Sequence, residues 1–484
     1  MTAEITPLIM LHLGLGSFHR AHQALYLHQL QQSGDRRWNL AAGNIRPDMP
    51  ETIAALAQQQ GAYTLETVTP QGAYSYTRIT SIAQVVAWDA QLKGLIAVGA
   101  SASTRIISFT VTEAGYYLDA TGRLDLAFAD LQADLDALHA LHALRAGRAG
   151  STIYGALCGI LRARMHAGAG PVTLLNCDNL RHNGERARSG LLQFIELLED
   201  AALREWVSAH TSNPNAMVDR ITPRPTSAVR QRVLAATGVD DPAAVMGESF
   251  IQWVIEDHFI AGRPAWENVG VEMVESVQAY EEAKIRLLNA THSCIAWAGT
   301  LLGYTYIHEG THDARIRKMA FDYVTDDVIP VLSTPEHPSP IDLAAYRDVV
   351  LDRFGNPDIA DTNQRVAMDG FSKIPGFIAP TFRERLARGE SIASVAMLPA
   401  LFLAYLQRWH AGQIPYTYQD QAMDPAVAHA VCEAADPVEA FCADRPLWGD
   451  LAGDARLVAA VRGAGERVAR FVADHTASAG HPAA

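Results

Sequence analysis

The chain has 484 residues, too many for one ordinary hydrophobic core, so roughly two or three domains are expected. With 49 % hydrophobic and 19 % charged residues it falls outside the range of disordered chains. A formal net charge of −14 without any Lys/Arg-rich block disfavours nucleic acid and anionic membrane as partners.

In chain order, Leu8 to Leu15 reads as a buried strand and Ala21 to Gln32 as the helix after it. Trp38 to Gly43 is a second strand and Glu51 to Gln60 a helix. Tyr63 to Ile82, rich in Thr and Tyr, predicts an antiparallel hairpin on one sheet edge. Arg105 to Val111 is a β-branched buried strand. Gln132 to Gly150 reads as a surface helix or insertion, not a metal site. Pro171 to Leu175 is a further strand, with NCDNLRHNG as the loop at its carboxyl end. This alternation predicts a parallel sheet with right-handed crossovers. From Tyr280 onward helical periodicity dominates, as in AKIRLLNATHSCIAWAGTLLG. The reading is therefore an α/β, Rossmann-type dinucleotide-binding domain over residues 1–280. A mainly α-helical substrate and catalytic domain follows over 281–484. The tail SAGHPAA is expected to lack order.

The five cysteines are odd in number and form no CxxC pair, which fits a reducing compartment. The start MTAEITPLIMLHLGLG has no basic segment before its short apolar run, so no signal peptide is expected. No run of about 18 apolar residues is present to span a bilayer. A cytoplasmic protein is expected.

His12-Leu13-Gly14-Leu15-Gly16-Ser17-Phe18-His19-Arg20 joins the first strand to the first helix. In that context glycines let backbone N–H groups approach a pyrophosphate at a helix N-terminus. Gly14 permits the turn and Gly16 a close approach. His19 replaces the third glycine, so the fingerprint is incomplete and a plain strand–helix turn stays open. At the end of the second strand, Asp48 suits a ribose hydroxyl, whereas Arg46 suits a 2′-phosphate. NAD and NADP both remain possible on these residues.

Tyr280-Glu281-Glu282-Ala283-Lys284-Ile285-Arg286-Leu287-Leu288-Asn289-Ala290-Thr291-His292 is the strongest local signal. On an α-helix Glu281, Lys284, Leu288 and His292 share a broad face, with Asn289 about 140° round from Lys284. A lysine among apolar neighbours loses hydration, which lowers its pKa toward the range of about 7–8 that suits a general base. An amide such as Asn289 can stabilise a developing alkoxide, and His292 can orient lysine or substrate. The plain alternative is a solvated lysine with a structural Asn and a core His. Tyr280-x-x-x-Lys284 also matches the Tyr–Lys pair of short-chain dehydrogenases, but it falls late in the chain and the glycine spacing differs.

The segments HLGLGSFHRAHQALY, FTVTEAGYY, LLNCDNLRHNG, NAMVDRITPRP, YEEAKIRLLNATHSCIAWAG and QRVAMDGFSKIPGFIAPT span residue 12 to about 381. They resemble the long-chain mannitol and polyol dehydrogenase family. AAGNIR, GESFIQWV and MLPALFLAY resemble its D-arabinitol-oxidising subgroup more than its mannitol or fructuronate members. The resemblance implies metal-independent, NAD-dependent oxidation of D-arabinitol to D-xylulose. It implies Lys284 as general base, Asn289 and Asn179 as oxyanion donors, His292 as a positioning residue and Glu281 as a gate for the departing proton. Asp219, Arg365 and Lys373 would hold the polyol. Leu11, Gly14, Leu15, Gly16, Ser17, Phe18 and His19 would contact the cofactor, with Asn44, Arg46, Thr112 and Glu113. Lys373 reads as part of a loop; Asp219-Arg220 as an ion pair, or Arg365 and Lys373 as surface charges, are the plain alternatives.

His308-Glu309-Gly310-Thr311-His312 fits the H-E-x-x-H zinc pattern, but Gly310 and Thr311 are poor helix formers and no third ligand follows. No metal is expected. The partners expected are a small polyol and, at most, a few copies of the same chain. The rivals are mannitol or fructuronate chemistry on the same scaffold, a non-catalytic dinucleotide sensor, and a metal-dependent isomerase or hydrolase.

Overall fold

A computed structural model describes residues 7–119, 121–142 and 150–479. It divides into two compact units, residues 1–69 with 73–278 and residues 70–72 with 279–484.

The strands of the first unit are β1 (Leu8–Leu13), β2 (Trp38–Gly43), β3 (Tyr63–Val68), β4 (Tyr74–Ile79), β5 (Ile82–Val86), β6 (Thr104–Phe109), β7 (Val172–Asn176), β8 (Thr211–Ser212), β9 (Ala216–Asp219), β10 (Val245–Glu248), β11 (Gln252–Glu256) and β12 (Glu272–Val274). Six of them form one sheet in the order β5-β2-β1-β6-β7-β8, and every pairing is parallel. Numbered within this sheet, the order is 3-2-1-4-5-6, the doubly wound dinucleotide-binding order, which reverses between β1 and β6. Helices cover both faces of such a sheet, so its strands are apolar on both sides. Leu11 and Leu13 accordingly enter one cluster with Ile107 and Phe109, and Met10 enters another with Leu40 and Ile106. The α/β, Rossmann-type reading of this part of the chain holds.

Two details differ from the sequence reading. The first helix starts at Ser17 and breaks at His22, where φ is −125° and ψ −87°, before resuming over Gln23–Gln32. The β3–β4 hairpin is antiparallel as expected, but it is not an edge of the main sheet. It builds a separate sheet with β10, which runs parallel to β3. The cause is long-range: the fully buried Glu66 of β3 pairs with Arg232 at 2.6 Å. The Thr64 N–H donates to Asp241.

The second unit is mainly helical. Every residue of Ala290–Leu301 except His292 is buried. A helix buried nearly all round forms a core, and this one packs on helices Asn363–Ala367 and Met397–His410. Among the described residues three stretches are π-helical: Lys284–Asn289, Tyr323–Val328 and Ile374–Ile378.

Of the Gln132 to Gly150 segment, a helix spans Ala129–His142, while residues 143–149 and the end of the tail lie outside the described residues. Among the described residues no helix is long and apolar enough to cross a membrane. Four of the five free cysteines are buried.

Candidate functional site

The turn after β1 is built so that residue 14 must be glycine. Gly14 has φ +106°, and a Cβ there would stand 2.1 Å from the Thr110 carbonyl oxygen. Its N–H donates to Gly43 O at 3.0 Å and its carbonyl accepts from the Thr110 hydroxyl at 3.0 Å. That draws the ends of β2, β1 and β6 together. A Cβ on Gly16 would meet nothing closer than 3.9 Å, so open space lies over the turn. Ser17 and Phe18 are partly exposed. Leu11, Leu15 and His19 have no exposed surface. Their side chains face the interior and support the turn from behind. His19 stacks on His12 with ring centroids 3.5 Å apart, and burial lowers the pKa of both, so both rings are neutral.

A cavity of about 460 Å³ opens at the carboxyl ends of β1, β2 and β6 and is lined by Gly14, Asn44, Arg46, Asp48, Thr112 and Asp130, among others. This is the crevice at which a doubly wound sheet binds its ligand. Asn44 is a brace: its Oδ1 accepts from the Leu15 N–H at 2.6 Å and its Nδ2 donates to Asp48 at 2.7 Å. Arg46 donates to the Tyr117 hydroxyl at 2.7 Å and to Asp130 at 2.9 Å. Both partners come from beyond β6 and carry no signal near the motif.

Thr112 adopts the left-handed conformation, φ +70°. Asp178 makes that possible. Its carboxylate accepts from the N–H groups of Val111 and Thr112 at 2.9 and 3.0 Å and from the Tyr116 hydroxyl. Sequence reasoning missed Asp178 although it stands inside NCDN, beside Asn179, which is exposed on the same loop. Glu113 opens a short 3-10 turn, Glu113–Tyr116. Asp219 ends β9 and is 6 % exposed; the adjoining Arg220 donates to the carbonyls of Glu248 and Ala21.

In the second unit Glu281 and Lys284 are buried, at 4 % and 7 % exposure. The segment that starts at Lys284 is π-helical, and the Ala290 N–H donates to Ile285 O, five residues back. An i→i+5 turn brings residue i+5 over residue i. Lys284 and Asn289 therefore share one face, where the α-helical reading set them about 140° apart. The wide turn is anchored from outside. The buried Arg286 pairs with Glu282 at 2.6 Å and Glu384 at 2.7 Å, and the Tyr323 hydroxyl donates to Arg286 O at 2.8 Å.

A second π turn, Ile374–Ile378, packs against this one. It begins directly after Lys373, which ends helix Gly370–Lys373. Lys373 is thus helical and not in a loop, because Asp420 accepts from the Phe371 N–H and Tyr418 from the Gly370 N–H. Its Nζ donates to Val366 O at 2.6 Å. Burial lowers the Lys373 ammonium to about 8.

Asp361, unremarked in the sequence, ties this unit's polar groups together. Arg365 donates to both of its oxygens, and His292 Nε2 lies 3.4 Å from Oδ2. Burial would raise the Asp361 carboxyl, but bonding to His292 and Arg365 holds it well below the usual carboxylate range. Burial lowers the His292 pKa, so the ring is neutral near pH 7. The Arg365 side chain is 64 % exposed, open to a solute.

His308 to His312 lie on a helix, Ile307–His312, against the expectation of poor helix formation. Glu309 stabilises it by accepting from the N–H groups of Thr305 and Tyr306 at 2.8 and 2.7 Å. Among the described residues no group of three or more His, Cys, Asp or Glu side chains is placed to hold a metal ion.

Comparison with known proteins agrees with this architecture. Residues 8–268 match the mannitol dehydrogenase Rossmann domain and residues 276–469 the mannitol dehydrogenase C-terminal domain. The chain is 61 % identical to D-arabinitol 4-dehydrogenase of Ralstonia nicotianae, covering 95 % of this chain and 96 % of the relative. It is 55 % identical to the Klebsiella pneumoniae protein of that name, covering 93 % and 96 %. Among solved structures, Pseudomonas fluorescens mannitol 2-dehydrogenase in a ternary complex with NAD and D-mannitol is 34 % identical with a TM-score of 0.80, covering 98 % of this chain and 94 % of that one. The chain belongs to the mannitol dehydrogenase family.

Proposed function

We propose that the chain is a polyol dehydrogenase that oxidises D-arabinitol to D-xylulose with NAD⁺, using Lys284 as general base. The substrate assignment is supported by the two relatives at 61 % and 55 % identity, against 38 % for a mannitol 2-dehydrogenase of Cereibacter sphaeroides. The observation that carries the chemistry is a buried lysine whose π turn sets Asn289 on its own face.

The residues around the glycine turn fit a dinucleotide. Gly14 lets the turn close against β6, Gly16 has no neighbour closer than 3.9 Å to where a Cβ would stand, Ser17 and Phe18 follow partly exposed, and Asp48 offers a carboxylate beyond the end of β2. Arg46 is engaged by Tyr117 and Asp130, which favours NAD over NADP. When bound, the nicotinamide ring supplies the hydride acceptor. Lys284 takes the hydroxyl proton and Glu281, one turn before it, relays that proton outward. Asn289 donates a hydrogen bond to the oxygen as it becomes a carbonyl, and Asn179 in the first unit keeps its proposed role as an amide donor. His292 orients the base, while Asp219, Arg365 and Lys373 hold hydroxyls. No step in this scheme calls on a metal. The acidic balance does not forbid a neutral polyol, and a cytoplasmic location and a monomer or small homo-oligomer complete the proposal.

The test is Lys284→Ala. Turnover should fall by about 10²- to 10⁴-fold, the usual contribution of a general base, while NAD⁺ affinity measured by fluorescence titration stays unchanged. Retained turnover would remove Lys284 from the mechanism. A second reading makes Lys373 the base, favoured by its ammonium being lowered to about 8. It predicts that Lys373→Ala loses kcat rather than polyol KM. Parallel rates with D-arabinitol, D-mannitol and D-mannonate test the substrate; preference for either of the last two would overturn that assignment.

A further inference from the structure

The His292 ring is held on two sides. Its face stacks on Phe354, with ring centroids 4.2 Å apart and planes within 14°. Its Nε2 lies 3.4 Å from Asp361 Oδ2, and that carboxylate is only 9 % exposed. Asp361 is fixed in turn by Arg365, which donates to both oxygens. Its main chain is pinned too, because the Ile307 N–H donates to Asp361 O at 2.9 Å and Tyr306 bridges Thr362. A neutral imidazole carries one proton, and a charge close to one nitrogen biases which nitrogen holds it; Nε2 has the Asp361 carboxylate 3.4 Å away and makes no closer hydrogen bond. A buried carboxylate beside Nε2 selects the Nε2–H form and leaves Nδ1 with its lone pair.

We infer that Asp361 is a positioning residue that sets the tautomer and ring orientation of His292, so that Nδ1 serves as a hydrogen-bond acceptor toward the reacting groups. The inference rests on the proposed role of His292. The same carboxylate clasps Arg365, so Asp361 couples the group that orients the chemistry to a group expected to hold the polyol. Burial is the main cause that keeps the ring in the neutral state this role requires; Asp361 pulls the other way, and the Arg365 and Lys373 cations add a smaller push toward neutrality.

The experiment is a double-mutant cycle in the full-length enzyme with saturating NAD⁺. Asp361→Ala should lower kcat by about 10- to 100-fold, the size expected for losing a buried charged partner of the ring. Asp361→Asn, whose amide oxygen can still accept from Nε2–H, should recover part of that loss. In a His292→Ala background, Asp361→Ala should cost no further kcat. Additive losses would overturn the inference. So would an effect confined to polyol KM that vanishes in an Arg365→Ala background, since Asp361 would then serve Arg365 alone. If His292→Ala leaves kcat and KM unchanged, the proposed role of His292 fails, and the tautomer itself is then decided by ¹⁵N-histidine NMR. The His292 signals, identified by their loss in His292→Ala, should report Nε2–H in the wild type and a mixture in Asp361→Ala. Identical signals in both would overturn the assignment.

Discussion

Replacing Lys373 with methionine should stabilise the protein while damaging its activity. Burial lowers the Lys373 ammonium from 10.5 to about 8. At 1.36 kcal/mol per pKa unit, keeping the ammonium in the folded state near pH 7 costs on the order of 3 kcal/mol. The sign follows from proton counts: the folded pKa lies below the unfolded one, so between pH 8 and 10.5 the unfolded chain binds more protons and stability rises with pH. Methionine, of similar length, removes that penalty. It also removes the hydrogen bond from Nζ to Val366 O, worth about 1 kcal/mol for a neutral donor. The variant should therefore be about 2 kcal/mol more stable at pH 7 and about 1 kcal/mol less stable above pH 10.5, where the amine is neutral in both states. Urea unfolding of both proteins at the two pH values measures the difference, and the polyol KM of the variant should rise. A stability difference that does not change with pH would refute the reasoning.

Gly14→Ala places a Cβ 2.1 Å from Thr110 O at a φ of +106°, strain of about 1–3 kcal/mol that opens the turn. NAD⁺ affinity should fall in a fluorescence titration, and unchanged affinity would remove the turn from the cofactor site. Asp178→Ala leaves the N–H groups of Val111 and Thr112 without their acceptor. Val111 is partly buried and Thr112 exposed, so at about 0.5–1.5 kcal/mol per lost hydrogen bond thermal unfolding should shift down and the NAD⁺ KM rise. Asp130→Ala frees Arg46 from its ion pair, so kcat/KM with NADP⁺ should rise relative to NAD⁺; an unchanged ratio would mean that Arg46 does not face the ribose.

The parts of the fold legible in the sequence are those written in local periodicity. Met10, Leu11 and Leu13 mark a strand buried on both faces, and the glycines after them mark the turn. What stayed hidden depends on partners far along the chain. Glu66 makes sense only once Arg232 is beside it, so the β3–β4 hairpin was assigned to the wrong sheet. Asp361 acquires its meaning from His292 and Arg365. The π turn at Lys284 is invisible to any fixed angular period, because it is held by Arg286, Glu384 and Tyr323, so Asn289 was placed off the lysine's face. The helix at His308 forms despite Gly310 and Thr311 because Glu309 caps it. A single capping carboxylate there outweighs weak intrinsic propensity.

Chemical rescue tests the central claim most directly. In Lys284→Ala, small primary amines added to the assay should restore NADH formation from D-arabinitol, with rates that climb with amine basicity, as Brønsted behaviour requires of a base acting in the transition state. The account predicts this rescue for Lys284→Ala and none for Lys373→Ala. Rescue at position 373 with none at 284 would contradict it.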